Sequence, residues 1–514
     1  MMLSNFTRRG RQCFEDLFDA LTGPQSSNRV MVLMLGGYVA VWALYAAIAK
    51  SSQDIHPDMA EMAVWSRQLS LGTPKHPPLG AWLLHIWFGV FPRSDWSYYL
   101  FAMTLSGVSL WIAWRIARRY LPPDKSVTSI ALLTLVPFYN FFALKYNANA
   151  VLTPLWAAAT WWFLLSFQTR RLEWAVLAGI GAAAAMLGKY WSILLLAAFG
   201  LAALIDQGRA RYFRSWAPYI SIAVGIVFLM PHVDWLIVNH FRSLDYAFET
   251  HPASYLTAIE SAFGFIGGSI AYIAIPIIFT LIVGPASLAA VSDVFWPSEP
   301  ERRFVAVIFW APFLLAVLIA VLLEVHIEKM WGISMMTLLP IVLFSSPLIH
   351  ISRQAGVIAV GAAVVFPIGM LAISPIVAVV VHRIGVDNYQ DQYALMARAL
   401  ESAWQKQTDK PLRIVGSYSS LVNGSAFYIN SQPAAFDLYS PAASPSLVDD
   451  EGIRRDGVAM ICPEAMYACM QMLNGYGEHY HAVAVDHVSL ERSYLGDQGV
   501  PVAYEIMIIP PNGQ

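Results

Sequence analysis

The chain has 514 residues, of which 57% are hydrophobic and only 13% charged, and its mean hydropathy is +0.53. A soluble chain is about 25% charged, so this composition excludes an ordinary string of soluble domains. The net charge of −2 gives no footing for nucleic acid, and three cysteines are too few for a disulfide scaffold.

The charge is unevenly spread. Residues 1–383 hold 44 charged side chains and residues 384–514 hold 22. The chain therefore divides into a segment 1–29, a membrane-embedded part 30–383 and a soluble-looking part 384–514. The first 29 residues read as a cytoplasmic segment. They are not a signal peptide, because Glu15, Asp16 and Asp19 stand where an apolar stretch is needed.

A membrane helix needs about 20 mostly apolar residues. Eleven stretches qualify: 30–49, 95–114, 127–144, 150–167, 174–188, 191–205, 216–232, 263–291, 304–323, 330–349 and 355–381. The shorter apolar stretch 77–91 opens on Pro77-Pro78 and reads as a re-entrant or interfacial helix. Lys and Arg in the loops set the orientation. One set of loops carries 16 of them and the opposite set 8. The bias places the N-terminus in the cytoplasm, and eleven spans then place 384–514 outside.

The tail has a different pattern. Residues 388–406 predict an amphipathic helix with Leu395, Met396, Leu400 and Trp404 on one side. Strands are predicted at 412–418, 426–429, 458–461, 482–485 and 502–509, with a helix over 463–473 opened by Pro463. The sum is a polytopic α-helical membrane protein with a small C-terminal α/β domain. Cys462 and Cys469 would lie in an oxidising compartment. A disulfide between them and two buried thiols are both open, because a straight helix from 463 would carry the two Cα atoms too far apart.

The external loops hold the ionisable residues. In the first, Asp58 and Glu61 stand at i and i+3 of a short helix, which puts both carboxylates on one face. Met62, Trp65 and Leu69 fit the membrane interface. Such a pair can serve acid–base chemistry, or it can be an ordinary solvated face. Lys145, Lys189 and Lys329 sit at external span ends, against the charge trend. Each can snorkel; several converging on one cavity would bind an anion such as a lipid phosphate.

Several segments resemble the GT-C polytopic glycosyltransferases of family 39, which include protein O-mannosyltransferases and aminoarabinose-to-lipid-A transferases. The matching stretches are PDMAEMAVWSRQLSLGTPKHPPLGAW (57–82), YNANAVLTPLW (146–156), GKYWSILL (188–195), MPHVDWL (230–236) and EKMWGISMMTLLP (328–340). The tail segment PLRIVGSYSSLVNGSAFY (411–428) is similar to the external domain of some members. The resemblance implies a GT-C-like fold in a bacterial inner membrane. It implies transfer of a sugar from a polyprenyl-phosphate donor to a lipid, glycan or protein acceptor on the periplasmic face. Membrane lipids are the other expected partners, and nucleic acid is not one.

By the same resemblance Asp58 is the candidate general base and Glu61 its assistant. Lys189 and Lys329 match phosphate-binding lysines, with Lys75, His76 and Lys145 as further candidate phosphate ligands. Asn147, Asn149, Tyr190, His232 and Arg242 are candidate substrate ligands. The chain departs from the aminoarabinose transferases in two places. Lys75-His76-Pro77 stands where they have Glu-Lys-Pro, so an acid that can help hold a metal is missing. Thr153 stands where they have Asp. No cofactor is implied with certainty, and a divalent metal stays open. His56, His76, His232 and His326 show no ligand spacing. A transporter or lipid flippase is the alternative. Transporters place ionisable groups at mid-membrane, whereas these cluster at external ends.

Overall fold

The computed structural model describes residues 2–24, 27–249, 251–284, 287–440 and 448–511. They form two compact units that do not follow chain order. One comprises Met1–Leu44, Lys75–Leu79 and Tyr98–Leu371. The other comprises Tyr45–Pro74, Gly80–Ser97 and Ala372–Gln514. The second is thus wider than the tail alone, because it takes in most of the first external loop.

Every predicted span coincides with a helix or a broken helix, yet eleven full crossings are not what the described residues show. Six helices are long and apolar enough to cross a membrane: Ser27–Ala49, Asp95–Tyr120, Ala148–Thr169, Ala217–Val238, Pro300–Leu322 and Arg353–Ile384. Two bent pairs raise this to eight at most. Pro123–Thr134 and Pro137–Leu144 meet at 76°. The break falls at Pro137, whose predecessor Val136 is extended (φ −74°, ψ 129°), as a residue before proline must be. Tyr255–Tyr272 and Ala274–Val283 meet at 57°, where Pro276 cannot donate its backbone hydrogen bond. The expected single span 263–291 is therefore broken, and its residues 285–286 lie outside the described residues. The stretches 174–188, 191–205 and 330–349 are the shorter helices Leu172–Gly188, Tyr190–Ile205 and Lys329–Phe344. At 1.5 Å per residue Leu172–Gly188 reaches about 26 Å, short of a bilayer core of about 30 Å. The stretch 77–91 is the helix Leu79–Val90, about 18 Å long.

In the first unit small residues let helices approach closely, as they do in membranes. A Cβ on Gly179 would stand 2.5 Å from the Ser221 carbonyl oxygen, which brings Leu172–Gly188 against Ala217–Val238. Asn147 caps the helix Ala148–Thr169 by accepting from the amides of Asn149 and Ala150. That helix ends at Arg170 in the left-handed region (φ 57°).

In the second unit a five-stranded sheet runs in the order β2-β1-β3-β7-β4. The strands are β1 (Ile414–Ser417), β2 (Ala434–Asp437), β3 (Val458–Pro463), β4 (Ala484–Leu490), β5 (Ser493–Tyr494), β6 (Asp497–Gln498) and β7 (Val502–Ile509). β1 pairs in parallel with β2 and β3, while β7 is antiparallel to β3 and β4. β5 and β6 form a separate hairpin. Both sheet faces are covered. Ala459 and Ile461 face a core with the helices Tyr393–Gln405 and Ser419–Tyr428. Val458, Met460 and Cys462 face a core with Tyr467–Tyr480. This alternation is the period of two expected of a strand buried on both sides.

Two tail expectations are corrected. Residues 426–429, predicted as a strand, lie mostly in the helix Ser419–Tyr428. Gly424 lies so close to the Tyr393 ring that a Cβ there would meet it at 2.3 Å. The apolar side chains Leu421, Val422 and Ala426 recur with helical spacing against the core. The helix predicted to start at Pro463 starts at Tyr467 instead, and Pro463 ends β3. The turn between them folds the chain back, so Cys462 and Cys469 come to a Cα separation of 5.7 Å and form a disulfide.

Candidate active site

The acid-bearing loop belongs to the second unit. His56 opens the helix Pro57–Trp65: its Nδ1 accepts from the Asp58 amide at 3.1 Å and Pro57 occupies the first turn. Asp58 sits in that turn, where a carboxylate favours the helix dipole. Asp58 and Glu61 are both half-buried on one face, while Met59, Ala60, Met62, Ala63, Val64 and Trp65 are buried. The shared face of the two carboxylates is as expected. The interfacial role of Met62 and Trp65 is not: both are buried, and Val64 joins the core shared with the tail helices. Leu69 remains 62% exposed.

Residues 53–55, just ahead of this helix, are held by tail residues of the same unit. The Asp54 amide donates to the Gln390 carbonyl at 2.9 Å, and the Ala394 amide donates to Asp54 Oδ2 at 3.0 Å. Arg492 Nη1 donates to Asp54 Oδ1 at 2.6 Å. The Ile55 amide donates to the Tyr428 hydroxyl at 3.0 Å, and that hydroxyl donates to Asp95. Burial pushes the Asp54 carboxyl up, against the opposing pull of Arg492 and the Ala394 amide. Behind the helix, Arg67 donates to the carbonyls of Pro433 and Ala426. Burial, and secondarily the charge of Arg93, push its guanidinium down to about 10, still charged at neutral pH.

The lysines and their neighbours belong to the first unit. Lys189 follows the last turn of Leu172–Gly188 in extended backbone. Its Nζ donates to Asn149 Oδ1 at 2.8 Å and stands 4.4 Å from the centre of the Trp331 ring. Trp331 is framed by Trp191, whose Nε1 donates to the Trp331 carbonyl at 3.2 Å, and by the ring of His251 at 5.3 Å. Lys329, two residues before Trp331, lays its stem along the helix Tyr255–Tyr272. Ideal Cβ positions on Gly268 and Gly264 would stand 3.1 Å and 3.4 Å from that stem. Its ammonium group is exposed and makes no ion pair among the described residues. The approach to Lys329 is fixed by a short bridge: the Ala253 amide donates to the Glu324 carbonyl at 2.8 Å and the His326 amide to the His251 carbonyl at 2.9 Å.

Contacts continue from Lys189 to its neighbour. The Tyr190 hydroxyl and His232 Nε2 share a hydrogen bond of 2.8 Å, and Ser243 neighbours the same hydroxyl. Ser243 lies on the short helix Arg242–Glu249 with Tyr246. Lys75 Nζ is 5.4 Å from the centre of the Tyr246 ring, and His76 meets that ring edge-on at 6.3 Å. A continuous set of contacts therefore links Lys75, His76, Tyr190, His232, Asn149, Lys189 and the Trp331 segment that carries Lys329. Asn147 is used as a helix cap, Lys145 ends the turn Phe142–Leu144, and Arg242 opens the helix bearing Ser243 and Tyr246. Trp331, Tyr246, His251, Gly264 and Gly268 were not singled out from the sequence. Trp331 could have been, since it lies two residues beyond Lys329 in the EKMWG stretch.

Among the described residues no group of three or more His, Cys, Asp or Glu side chains is gathered to hold a metal. His56 is a helix cap, His76 packs on Tyr246, His232 bonds to Tyr190, and His326 lies 3.3 Å from Glu328. The donors do not make a metal site, so no step is routed through one.

Residues 75–235 match the family model described as dolichyl-phosphate-mannose-protein mannosyltransferase. A curated relative, the lipopolysaccharide core galacturonosyltransferase RgtB of Rhizobium johnstonii, is 26% identical over 302 residues. That match spans 57% of this chain and 60% of the relative's length. The fold is similar to that of ArnT from Cupriavidus metallidurans bound to undecaprenyl phosphate, with a TM-score of 0.61 at 12% identity. The similarity covers 94% of this chain and 98% of ArnT. The apo form of the same protein gives a TM-score of 0.60 at 11% identity over 94% and 99% of the two chains. The chain is thus similar in fold to ArnT over nearly its whole length, and in sequence to the mannosyltransferase family over residues 75–235.

Proposed function

We propose that the chain is an integral membrane glycosyltransferase that moves a sugar from a polyprenyl-phosphate donor to a lipid, glycan or protein acceptor at the periplasmic face. The observation that carries this reading is the lysine set of the first unit. Lys189 is oriented by an amide oxygen and an indole face, and Lys329 by a pair of glycines. These contacts hold two lysines in defined positions within one unit, which suits the binding of a lipid phosphate leaving group. Lys75, His76 and Lys145 are the supporting phosphate ligands in this reading, and Asn149, Tyr190, His232 and Arg242 contact substrate. Asn147 acts on the substrate side through the helix it caps.

In the proposed step the acceptor hydroxyl gives its proton to the Asp58 carboxylate as its oxygen bonds to the sugar's anomeric carbon. The bond from that carbon to the phosphate oxygen breaks, and the electron pair leaves with the polyprenyl phosphate. Glu61 assists Asp58 or binds sugar hydroxyls. The charge bias of the loops and the Cys462–Cys469 disulfide support an outward-facing tail and a cytoplasmic N-terminus. The curated relative's activity makes an envelope glycan the first acceptor to try, with a uronic acid as the first sugar.

The test is transfer of radiolabelled sugar from synthetic polyprenyl phosphate by purified protein. Asp58→Asn should lose about 10²–10⁴-fold in turnover, the usual cost of removing a general base, while still binding donor. Counterflow of intact lipid by proteoliposomes without any sugar transfer would instead establish the flippase reading.

A further inference from the structure

A cavity in the first unit is lined by none of the residues of the lysine set. It is a half-open recess between the helices Leu172–Gly188, Ile193–Ile205 and Ala217–Val238 and the short helix Arg209–Phe213. Its volume is about 370 Å³, within the ~300–1,000 Å³ range of ligand pockets. Small residues make the room: Gly200 and Gly225 open onto it, and a Cβ on Gly200 would meet nothing within 4 Å. The lining is almost wholly apolar, with Phe163, Phe199, Ile222 and Leu229 among it. Few polar groups reach it. Ser221 donates to the Ala175 carbonyl at 2.9 Å and to the Ala217 carbonyl at 3.0 Å, and Tyr212 adds one hydroxyl. Such a lining offers a polar ligand little compensation for lost water, whereas a hydrocarbon chain loses nothing on entering.

One end of this cavity is strongly basic. Tyr212 and Phe213 line it, and Arg209, Arg211 and Arg214 bracket them in sequence. All three arginines are exposed, and none makes an ion pair among the described residues. Trp216, 74% exposed, and Tyr219, 55% exposed, follow directly; such rings settle at the level of lipid headgroups. Loop topology alone accounts for basic residues between two spans. It does not account for an apolar cavity opening beside them.

We propose that this is a binding site for an anionic phospholipid, with one acyl chain in the cavity and the phosphate held by Arg211 and Arg214, assisted by Arg209. The charge selects the headgroup and the dry lining selects the chain. The site uses no residue assigned to sugar transfer, so it stands or falls independently of that activity.

The full-length protein, purified in mild detergent and equilibrated with equal phosphatidylglycerol and phosphatidylcholine, is examined by native mass spectrometry. The wild type should retain phosphatidylglycerol in clear preference. Arg211→Gln with Arg214→Gln should lower that retention by about 30-fold, the factor expected for two basic groups near an anionic lipid. Both side chains are exposed, so the variant should melt at the wild-type temperature. Gly200→Leu should fill the cavity and reduce retention of the lipid with all arginines in place. Equal retention of the two lipids by the wild type, or unchanged retention by the arginine variant, overturns the proposal. Displacement of the lipid by millimolar inorganic phosphate, or undiminished binding by Gly200→Leu, would show an anion site without a chain pocket and also overturn it.

Discussion

The first external loop and the lysine segments hold their charged side chains by different means. In the unit that holds the first external loop and the tail, charged groups close on one another or on backbone. Arg492 meets Asp54 at 2.6 Å, and Arg67 is spent on the carbonyls of Pro433 and Ala426. In the unit that holds most of the apolar helices, lysines rest against neutral surfaces: Trp331 for Lys189, Tyr246 for Lys75, and Gly264 with Gly268 for Lys329. A buried charge that meets its opposite fixes architecture, and losing one partner strands the other. A cation on an aromatic face or in a glycine groove is positioned by those contacts. The first arrangement holds a loop in place; the second orients lysines that can meet an anion.

The largest effect expected in this comparison comes from the buried pair. Arg492→Met should destabilise the protein by about 3–5 kcal/mol, since it leaves Asp54 charged and nearly inaccessible. The sign with pH follows from the raised native pKa of Asp54. The native state holds that proton more tightly than the unfolded chain does. The contribution is therefore most favourable below the ordinary carboxylate value of 3.8 and is lost as pH rises through the elevated one. The variant's deficit should be widest at neutral pH and narrow on acidification, read as melting temperature against pH in detergent. A deficit independent of pH would show that Asp54 is not the stranded charge.

Next in size is the disulfide of the second unit. Replacing Cys462 and Cys469 by serine should cost about 2–4 kcal/mol, the usual contribution of such a bridge. Mass spectrometry of alkylated, non-reduced protein should find only Cys13 modified. Alkylation of all three would remove both the bridge and its support for an external tail.

In the first unit, Lys189→Met and Lys329→Met keep the apolar stem and remove the charge. Each should weaken donor binding by about 1.5–3 kcal/mol, the scale of a hydrogen bond to a charged group, with little change in melting temperature. Normal binding of polyprenyl phosphate by both variants would reduce these lysines to snorkelling side chains and erase the contrast between the units.

The smallest effect tests an exposed pair. His487 is held above its usual pKa first of all by its 2.8 Å hydrogen bond to Glu464. Glu464→Gln should return its titration, followed by NMR, toward the ordinary value with no measurable change in fold. The stability that pair adds is present below the ordinary histidine pKa and fades as pH rises through the raised one.

What the sequence determined by itself was local. Apolar runs of about 20 residues must bury their backbone polar groups as helices in a membrane, so each predicted span matches helical structure. The i, i+3 spacing of Asp58 and Glu61 put both on one face, as it must in any helix. Short apolar runs located β1, β3 and β7. Only the tertiary structure decided the rest. Whether a helix is whole or bent at Pro137 and Ile273, whether 426–429 extends or coils beside Tyr393, and whether the chain turns back between Pro463 and Tyr467 depend on what packs against each segment. The clamp on residues 53–55 joins groups more than 330 positions apart, and Lys189 finds Trp331 across 140 or so residues. Propensity reaches only a few residues along the chain, while burial of opposite charges and aromatic faces is settled by folding as a whole, so these partners could not be read from spacing.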